Sequence, residues 1–439
     1  MGQFLAGTAR ENITPPVGVD QCGFAARPGP STGVHDDLMA KAVYLGDGDA
    51  EGGGIVLITA DLIGLNHQQA TEIREKVAAG AGVSADAVMV TCSHTHSGPV
   101  TPCIRFLGAV DEDYMAATEA KLAAVGIAAA KAAQPTVCGW RRESVQIHNN
   151  RRQRTDQGVV LGYNPRGTVT PWEDVLAVDT AEGRPLARWF THACHAVVLG
   201  GDNLLISGDW PGYAQRVVEA AEPEATALYA QGCCGDLNPN ARGTFDIAER
   251  HGKTVAGAAI KGAAQAEKSG DVALGHAGKV LDLPLQDPPG VEEAEKIAAE
   301  MEAYYAEHEA AAMYLEKEWY KGWVAWGRRL VELAKEGMTG MTTPYYVQAL
   351  RIGGGAIVGL PGEVFSQYAI NVGDASPATP TAVTAYTNGY VGYVPTEAAF
   401  AEGGYEVDVA YKIALPTMLK PDCERMILGA TKELVGGLF

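Results

Sequence analysis

The stretch AVMVTCSHTHSGPV (residues 87–100) sets an apolar run directly before two histidines, and both the fold class and the search for a site start from it. An apolar run that ends at Gly and Pro is typical of a strand. Side chains alternate along a strand, so His94 and His96 are expected to point to the same face at its end. Because the chain has only 10 histidines, this pair indicates a site geometry or a coincidence.

Outward from this stretch, short β-like runs alternate with helical ones, which predicts an α/β fold. The predicted strands are GIVLITADLIGL (54–65), AVMVTCSH (87–94), PLARWFTHACHAVVL (185–199), TALYAQGCCGD (226–236), YYVQALRIGGGAIVGLPGE (345–363) and PTAVTAYTNGYVGYV (380–394). The predicted helices cover residues 67–81, 114–133 and 214–222. No internal repeat or long linker divides the chain, so we expect one domain over residues 1–439.

Between residues 291 and 336 the composition shifts to Glu, Ala, Lys, Met and aromatic residues, which predicts a helical insertion. Trp319, Trp323 and Trp326 are spaced by four and three residues and would share one helix face. One interpretation is a helical hairpin that packs this aromatic face on the core. The other is a lid or a subunit contact, and a subunit contact would make the protein a homo-oligomer.

Composition limits the classes of partner. The chain has 439 residues, of which 47% are hydrophobic and 20% charged, so it can bury a large core. Its net charge of -19 disfavours nucleic acid and stable membrane association. The first residues lack the pattern of a signal peptide and no long apolar window occurs, so we expect a cytoplasmic location. Eight cysteines without a C-x-x-C pair predict buried free thiols.

Three separate segments offer metal-binding groups. His94 and His96 follow the first strand, and His192 and His195 lie in a second predicted strand, where residues three apart face opposite ways. Only one of that second pair should therefore join a shared site. Glu363 stands at a strand-to-helix turn in GLPGEVF. Two imidazoles and a carboxylate are the ligands of many catalytic zinc sites. However, a histidine in a loop can also serve only as a hydrogen-bonding residue, and a Glu in the first turn of a helix can stabilise the helix dipole.

Several motifs then follow one another along the chain. They are NITPPVG (12–18), TGVHDDLMAKAVYL (32–45), SHTHSGP (93–99), ACHAVV (193–198), SGDWPGYA (207–214), GCCGDLNPN (232–240), LPGE (360–363) and GYVPTEAAFAEGGYE (392–406). This series resembles the neutral ceramidases and their bacterial relatives. The resemblance implies two central twisted mixed sheets that pack together and are flanked by helices.

The resemblance also implies a zinc ion and assigns its site by position in the motifs. The implied ligands are His94, His195, Glu363 and Tyr393. The implied catalytic groups are His96 as general base, Tyr405 as a donor to the oxyanion, and Arg151 as a residue that lines the site. The two histidines of HTH would thus divide metal binding from acid–base chemistry. Without the resemblance, the two tyrosines also fit half-buried aromatics in a Gly-rich loop.

Departures from the family pattern concern the substrate. Asn238 stands in GDLNPN where the family has a Ser, and an amide cannot act as a nucleophile. The segment TPCIRFLG (101–108) replaces a Gly-rich continuation, and we expect neither a leader nor a C-terminal sandwich domain. Ceramide is therefore disfavoured. We expect a zinc hydrolase that cleaves an amide, including a cyclic one, or an ester of a small polar, anionic molecule. The alternatives are a lactone or sugar-ester hydrolase, or a non-catalytic metal-containing binding protein.

Some polar residues have two open interpretations. Asp209 and Asp236 either fix the ligand histidines or cap local turns. Arg151, Arg152 and Arg154 either all face the metal, where they would suit an anionic substrate, or only Arg151 does. The histidines at positions 35, 148 and 192 are expected to be structural or surface residues.

Overall fold

Buried apolar runs form the strands of the structure, a computed structural model that describes residues 3–48 and 53–439. The strands are β1 (Phe4–Asn12), β2 (Gly33–Val34), β3 (Met39–Asp47), β4 (Gly54–Ala60), β5 (Val88–Cys92), β6 (Gln134–Ser144), β7 (His148–Thr155), β8 (Gly158–Asn164), β9 (Trp172–Thr180), β10 (Pro185–His192), β11 (Leu205–Ile206), β12 (Thr226–Gln231), β13 (Leu237–Pro239), β14 (Leu274–Pro284), β15 (Thr342–Ile352), β16 (Gly355–Gly359), β17 (Glu363–Val364), β18 (Thr381–Thr384) and β19 (Tyr393–Val394).

Two sheets dominate the fold. The larger has eight strands in the order β12-β10-β9-β6-β1-β3-β4-β5, and its β10–β12 and β4–β5 pairs are parallel. The second has four strands in the order β14-β15-β16-β18, with a parallel β16–β18 pair. Small sheets join β11 to β2, β7 to β13 and β8, and β17 to β19.

Helices follow the strands and cover the sheets. They are α1 (His67–Ala81), α2 (Glu112–Lys131), α3 (Asp209–Ala221), α4 (Phe245–Gln265), α5 (Val291–His308), α6 (Tyr314–Lys335), α7 (Ser366–Ala375), α8 (Glu397–Glu402) and α9 (Cys423–Gly436). Local sequence fixes their ends. For example, α1 begins at a capping box between Asn66 and Gln69 and stops at Gly82, whose φ of 69° suits glycine.

The two large sheets pack together through one apolar layer. Leu57 of β4 and Trp189 of β10 belong to the same buried cluster as Leu350 of β15 and Ile357 of β16. On the opposite face of the eight-stranded sheet, α3 and α4 pack on β9, β10 and β12. The predicted α/β fold, with mixed sheets that pack together between helices, is confirmed.

The predicted helical stretch at 291–336 is the hairpin of α5 and α6. Trp319 and Trp326 are buried, and Trp326 donates a hydrogen bond to the carbonyl oxygen of Pro416 (2.8 Å). Trp323 is half-buried. The N-terminal end of α6 touches Arg27, and a Cβ at Gly322 would meet the ring of Phe106. The aromatic face therefore packs inward, against loops that border the site described below.

Two further sequence predictions concern the chain as a whole. All eight cysteines are buried free thiols, as predicted. Among the residues that the structure describes, no helix combines the length and apolarity needed to cross a membrane.

Candidate metal centre

His94 and His96 meet beyond the end of β5. The strand stops at Cys92, and His94 has a φ of 59°, so the two histidines do not lie in a strand, where the sequence analysis expected them to share one face. The turn still brings the two side chains together, because their Nε2 atoms lie 3.1 Å apart. The expected juxtaposition is therefore present, but a left-handed turn produces it rather than the period of a strand.

His195 also lies beyond its strand. The predicted strand over residues 185–199 ends at His192. His192 and His195 therefore do not point apart because of the alternation of side chains along a strand. The backbone carbonyl of His195 accepts a hydrogen bond from the Trp210 indole (3.1 Å), which holds the loop on α3. The Nε2 atom of His195 lies 3.0 Å from Oε2 of Glu363. Of that pair, only His195 lies in the cluster with His94 and His96.

Glu363 supplies a buried carboxylate to the same place. It lies on β17, whose backbone pairs with Tyr393 on β19. Its Oε2 is 3.6 Å from Nε2 of His94, and its Oε1 accepts a hydrogen bond from the Tyr390 hydroxyl (2.6 Å). Burial alone would raise the pKa of Glu363, but His94, His195 and the Tyr390 hydroxyl hold it below its usual range. The carboxylate is therefore ionised.

The backbone around the imidazoles fixes their tautomers. The Nδ1 atoms of His94, His96 and His195 lie near carbonyl oxygens of Ile63 (2.7 Å), Gly23 (3.2 Å) and Cys234 (2.7 Å). Carbonyl oxygens only accept, so each Nδ1 carries a proton. Burial lowers the pKa of His94 to about 4, and burial and its imidazole neighbours lower that of His96 well below its usual value. As neutral rings, these two present Nε2 lone pairs to one point.

Imidazole nitrogens and a carboxylate that face one another at this distance form a candidate metal site. The ligand atoms of His94, His96 and His195 all lie within 4.8 Å of one another. Ligands at about 2.0–2.2 Å from a tetrahedral zinc stand roughly 3.3–3.5 Å apart. The separations of 3.0 Å, 3.1 Å and 3.6 Å among these nitrogens and the Glu363 carboxylate therefore suit a single divalent ion.

Tyr393 and Arg151 adjoin this centre. Arg151 Nη2 donates to the hydroxyl of Tyr393 (2.9 Å), and its Nε donates to Oε1 of Glu406 (2.9 Å). Burial works against the charge on Arg151, but Tyr393, Glu406 and Glu363 raise its pKa well above the ordinary value, so it stays cationic. Asn238, which stands where the resembling family has a serine, offers Oδ1 to Arg151 (3.4 Å).

Tyr405 lies across from Tyr393, with their rings 6.0 Å apart. Burial raises the pKa of Tyr405 to about 12, a shift that Glu363 reinforces and Arg151 opposes. The phenol therefore keeps its proton at neutral pH and remains a hydrogen-bond donor.

The other arginines of NNRRQR turn away from the centre. Arg152 and Arg154 line a cavity of about 840 Å³ together with Asn150, and Arg151 is not among its lining residues. Arg152 Nη1 donates to Oε2 of Glu406 (2.6 Å), and Arg154 donates to Glu402. Of the two interpretations of this cluster, the structure therefore favours the one in which only Arg151 reaches the metal centre.

The two aspartates hold backbone rather than histidines. Asp209 accepts hydrogen bonds from the amides of Leu199 (2.9 Å) and Trp210 (2.6 Å), which fixes the loop after His195. Asp236 accepts from Asn150 (2.8 Å) and from the amide of Ser366 (2.7 Å), three residues beyond Glu363. Each therefore orders a segment that carries a site residue. His148 and His192 are buried and contact each other outside this centre (3.2 Å).

Sequence reasoning missed three residues of the centre. Tyr390 binds Glu363, and the ring of Tyr386 stacks on His94 at 4.0 Å. Three tyrosines between positions 386 and 393 were the available signal. Arg27 is fully buried; it donates to the carbonyls of His96 and Asn203, and its Nε has no partner among the described residues. No sequence pattern marked it.

A substitution at Gly235 tests the centre without removing any polar side chain from it. A Cβ there would lie 2.3 Å from the carbonyl oxygen of Glu363 and 3.0 Å from the Phe365 ring. Gly235→Ala should therefore displace Glu363 and weaken metal affinity by about 10- to 100-fold in a chelator competition. Gly257→Ala, where a Cβ meets nothing within 4 Å, is the control. Unchanged affinity in the Gly235 variant would show that Glu363 is not a ligand.

Comparisons with known proteins bear on the family and the fold of the chain. The family model described as "Neutral/alkaline non-lysosomal ceramidase, N-terminal" matches residues 4–270. The crystal structure of neutral ceramidase from Pseudomonas aeruginosa is similar over 100% of this chain and 75% of its own, with 19% identity and a TM-score of 0.74. A ceramidase complexed with C2 has the same coverage, 18% identity and a TM-score of 0.76. No curated protein matches the chain. At such identities the structural likeness concerns the fold.

Proposed function

Because the chain belongs to the neutral/alkaline non-lysosomal ceramidase family and so has the fold of a hydrolase, we propose that it is a zinc-dependent hydrolase. It cleaves an amide, including a cyclic one, or an ester of a small polar, anionic molecule. The alternatives are a lactone or sugar-ester hydrolase and a non-catalytic metal-containing protein.

One observation carries the proposal. The Nε2 atoms of His94, His96 and His195 and the ionised Glu363 converge on one point with separations that a divalent ion would bridge. We assign His94, His195, Glu363 and Tyr393 as the ligands. His96 is the most exposed of the three imidazoles, so it is the one suited to exchange a proton with a substrate.

The chain's own residues then divide the work. Held by His94, His195, Glu363 and Tyr393, a divalent ion would supply Lewis acidity that activates water and polarises a carbonyl. His96 takes up or delivers a proton at Nε2. Tyr405, which stays protonated, donates a hydrogen bond to the negative charge that develops on the carbonyl oxygen. Arg151 orients the hydroxyl of Tyr393 and adds a positive charge beside it.

The charges near the site support a polar, anionic substrate. Arg27 is buried next to His96 and binds carbonyl and amide oxygens rather than a carboxylate. Loop 101–108 packs against α6, where Phe106 lies next to Gly322. The net charge of -19 disfavours docking on an anionic bilayer.

Side-by-side kinetics test the substrate class. We expect short amides and esters that carry a carboxylate to be hydrolysed with a higher kcat/KM than a long-chain ceramide. Arg151→Ala should raise KM or lower kcat, because it removes a charge-assisted contact. A ceramide kcat/KM above that of every short substrate would contradict the substrate class. Absence of turnover in a broad amide, ester and lactone screen with fully metal-loaded protein would favour the binding-protein alternative.

Three broader assignments accompany this function. We propose that residues 1–439 form one domain with a helical insertion at about 291–336. The free state of all eight cysteines fits a reducing compartment, and we place the protein in the cytoplasm. We propose neither stable membrane association nor nucleic-acid binding. Self-association through the α5–α6 hairpin is compatible with the proposal.

A further inference from the structure

Glu406 occupies a position that links two of the proposed catalytic groups. It follows Tyr405 directly, in a single π-helical turn (Tyr405–Val409). We propose that Glu406 is a positioning residue that fixes both Arg151 and the turn carrying Tyr405; this inference rests on the function proposed above. The sequence analysis did not single out Glu406.

Both oxygens of the carboxylate are used. Oε1 accepts from Nε of Arg151 (2.9 Å) and Oε2 accepts from Nη1 of Arg152 (2.6 Å). With its Nε held in this way, Arg151 directs Nη2 at the hydroxyl of Tyr393 (2.9 Å). The planar guanidinium has a fixed geometry, so a contact at one nitrogen sets the direction of the others. Glu406 thus determines where the cation of Arg151 points.

The same contacts hold the turn. Gly403 and Gly404 have φ angles of 66° and 100°, so the chain before Tyr405 follows a path that glycine adopts readily. Arg152 Nη2 donates to the carbonyl of Gly403 (2.8 Å) while its Nη1 holds Glu406. The turn is therefore tied to β7 on both sides of Tyr405, which limits where its hydroxyl can lie.

Burial distinguishes the Glu406–Arg151 ion pair from the ion pairs of Glu402. Glu406 is 1% exposed and Arg151 is 5% exposed, so their charges are poorly screened and loss of one partner is felt by the other. Glu402 is close in sequence, but it pairs with Arg152 and the exposed Arg154. Its carboxylate contacts Arg152 and Arg154 rather than Arg151 or Tyr393. Glu402 is therefore a matched control: the same residue type, on the same arginine cluster, without a direct contact to Arg151.

The first experiment compares Glu406→Gln, Glu406→Asp and Glu402→Gln in zinc-loaded protein. We expect Glu406→Gln to lower kcat by about 10- to 100-fold with zinc retained. Glu406→Asp keeps the charge but cannot reach both arginines, so it should lose a similar factor. Glu402→Gln should stay within about twofold, as for exposed pairs. An aspartate variant as active as the unchanged protein, or equal losses at both positions, would overturn the inference and reduce Glu406 to charge balance.

A double-mutant comparison separates a path through Arg151 from a general effect. If Glu406 acts through Arg151 and the Tyr405 turn, adding Glu406→Gln to Arg151→Met should cost much less than it costs alone. If the double variant loses kcat by the product of the factors lost in the two single variants, the link between Glu406 and Arg151 is contradicted. If Glu406→Gln fails to fold, Glu406→Gln combined with Arg152→Gln removes one cation with the carboxylate and tests the same contact.

Hydrogen exchange tests the inference without a substrate. Amides of residues 405–409 should lose protection in Glu406→Gln but not in Glu402→Gln, at equal zinc content. Unchanged protection in Glu406→Gln would overturn the positioning of the turn. This readout stands even if no hydrolysis is found, so a failure of the proposed function and a failure of this inference remain distinguishable.

Discussion

His195→Ala is expected to remove both bound zinc and hydrolytic activity. The unchanged protein should hold about one divalent ion per chain, and the variant close to none, since a tetrahedral site with three or four protein ligands rarely survives the loss of one. His195 stands at the centre of the proposed set, because its Nε2 lies 3.0 Å from Glu363 while its Nδ1 is held by the carbonyl of Cys234 (2.7 Å). Elemental analysis of protein purified without chelator measures the metal, and initial rates on the best substrate measure the activity.

A second buried histidine controls for damage to the fold. His192 lies three residues earlier, is equally buried, and contacts His148 and the carbonyl of Trp172 rather than the centre. His192→Ala should therefore lower the thermal midpoint while zinc stays bound. If both variants lose zinc to the same extent, the loss in His195→Ala reflects unfolding. A His195 variant that retains one zinc per chain would remove His195 from the ligand set.

His96→Ala is expected to keep the metal and lose turnover by about 100-fold or more, the usual contribution of a general acid or base. The reason is the proposed division of work, in which His94 binds the ion and His96 exchanges protons. Its Nδ1 is anchored to the carbonyl of Gly23, so the ring presents Nε2 to the site. Tyr405→Phe should likewise retain zinc and lose a comparable factor, since it removes only the donor to the oxyanion.

The structure also offers a competing role for His96. Its Nε2 lies 3.1 Å from that of His94, close enough for both nitrogens to bind one ion. Under that alternative, His96→Ala would weaken zinc binding together with activity, whereas Tyr405→Phe would not. Zinc affinity of the two variants, measured with the same chelator, therefore decides between base and ligand.

Sequence patterns located the elements better than they described their ends. The 67–81 helix is present as predicted, because its apolar positions and its Asn66 cap agree. The apolar run at 185–199 predicts one strand, yet β10 stops at His192 and a loop follows. The run at 345–363 contains β15 and β16, which turn at Gly353 with a φ of 60°, and it ends at the first residue of β17. The apolar content of a segment does not indicate the residue at which its backbone hydrogen bonds to the neighbouring strand stop.

The candidate site was predictable only in part. The HTH pair and Glu363 were visible as residue types that bind metal, although the left-handed turn at His94 was not. Tyr390 and Glu406 act through contacts between segments far apart in sequence, 27 and 255 residues from the partners they hold, and no local pattern carries that information. Arg152 shows the converse limit, because it follows Arg151 directly and shares the Glu406 carboxylate with it, yet it lines a separate cavity with Arg154.

The central claim is that one metal ion lies between His94, His195 and Glu363, and anomalous diffraction at the zinc absorption edge tests it most directly. Crystals of protein purified without chelator should give one strong peak about 2.0–2.2 Å from Nε2 of both histidines and from a Glu363 oxygen. The peak should vanish in data collected below the edge. A zinc-supplemented crystal with no anomalous density at this point, or with density only elsewhere, would contradict the account.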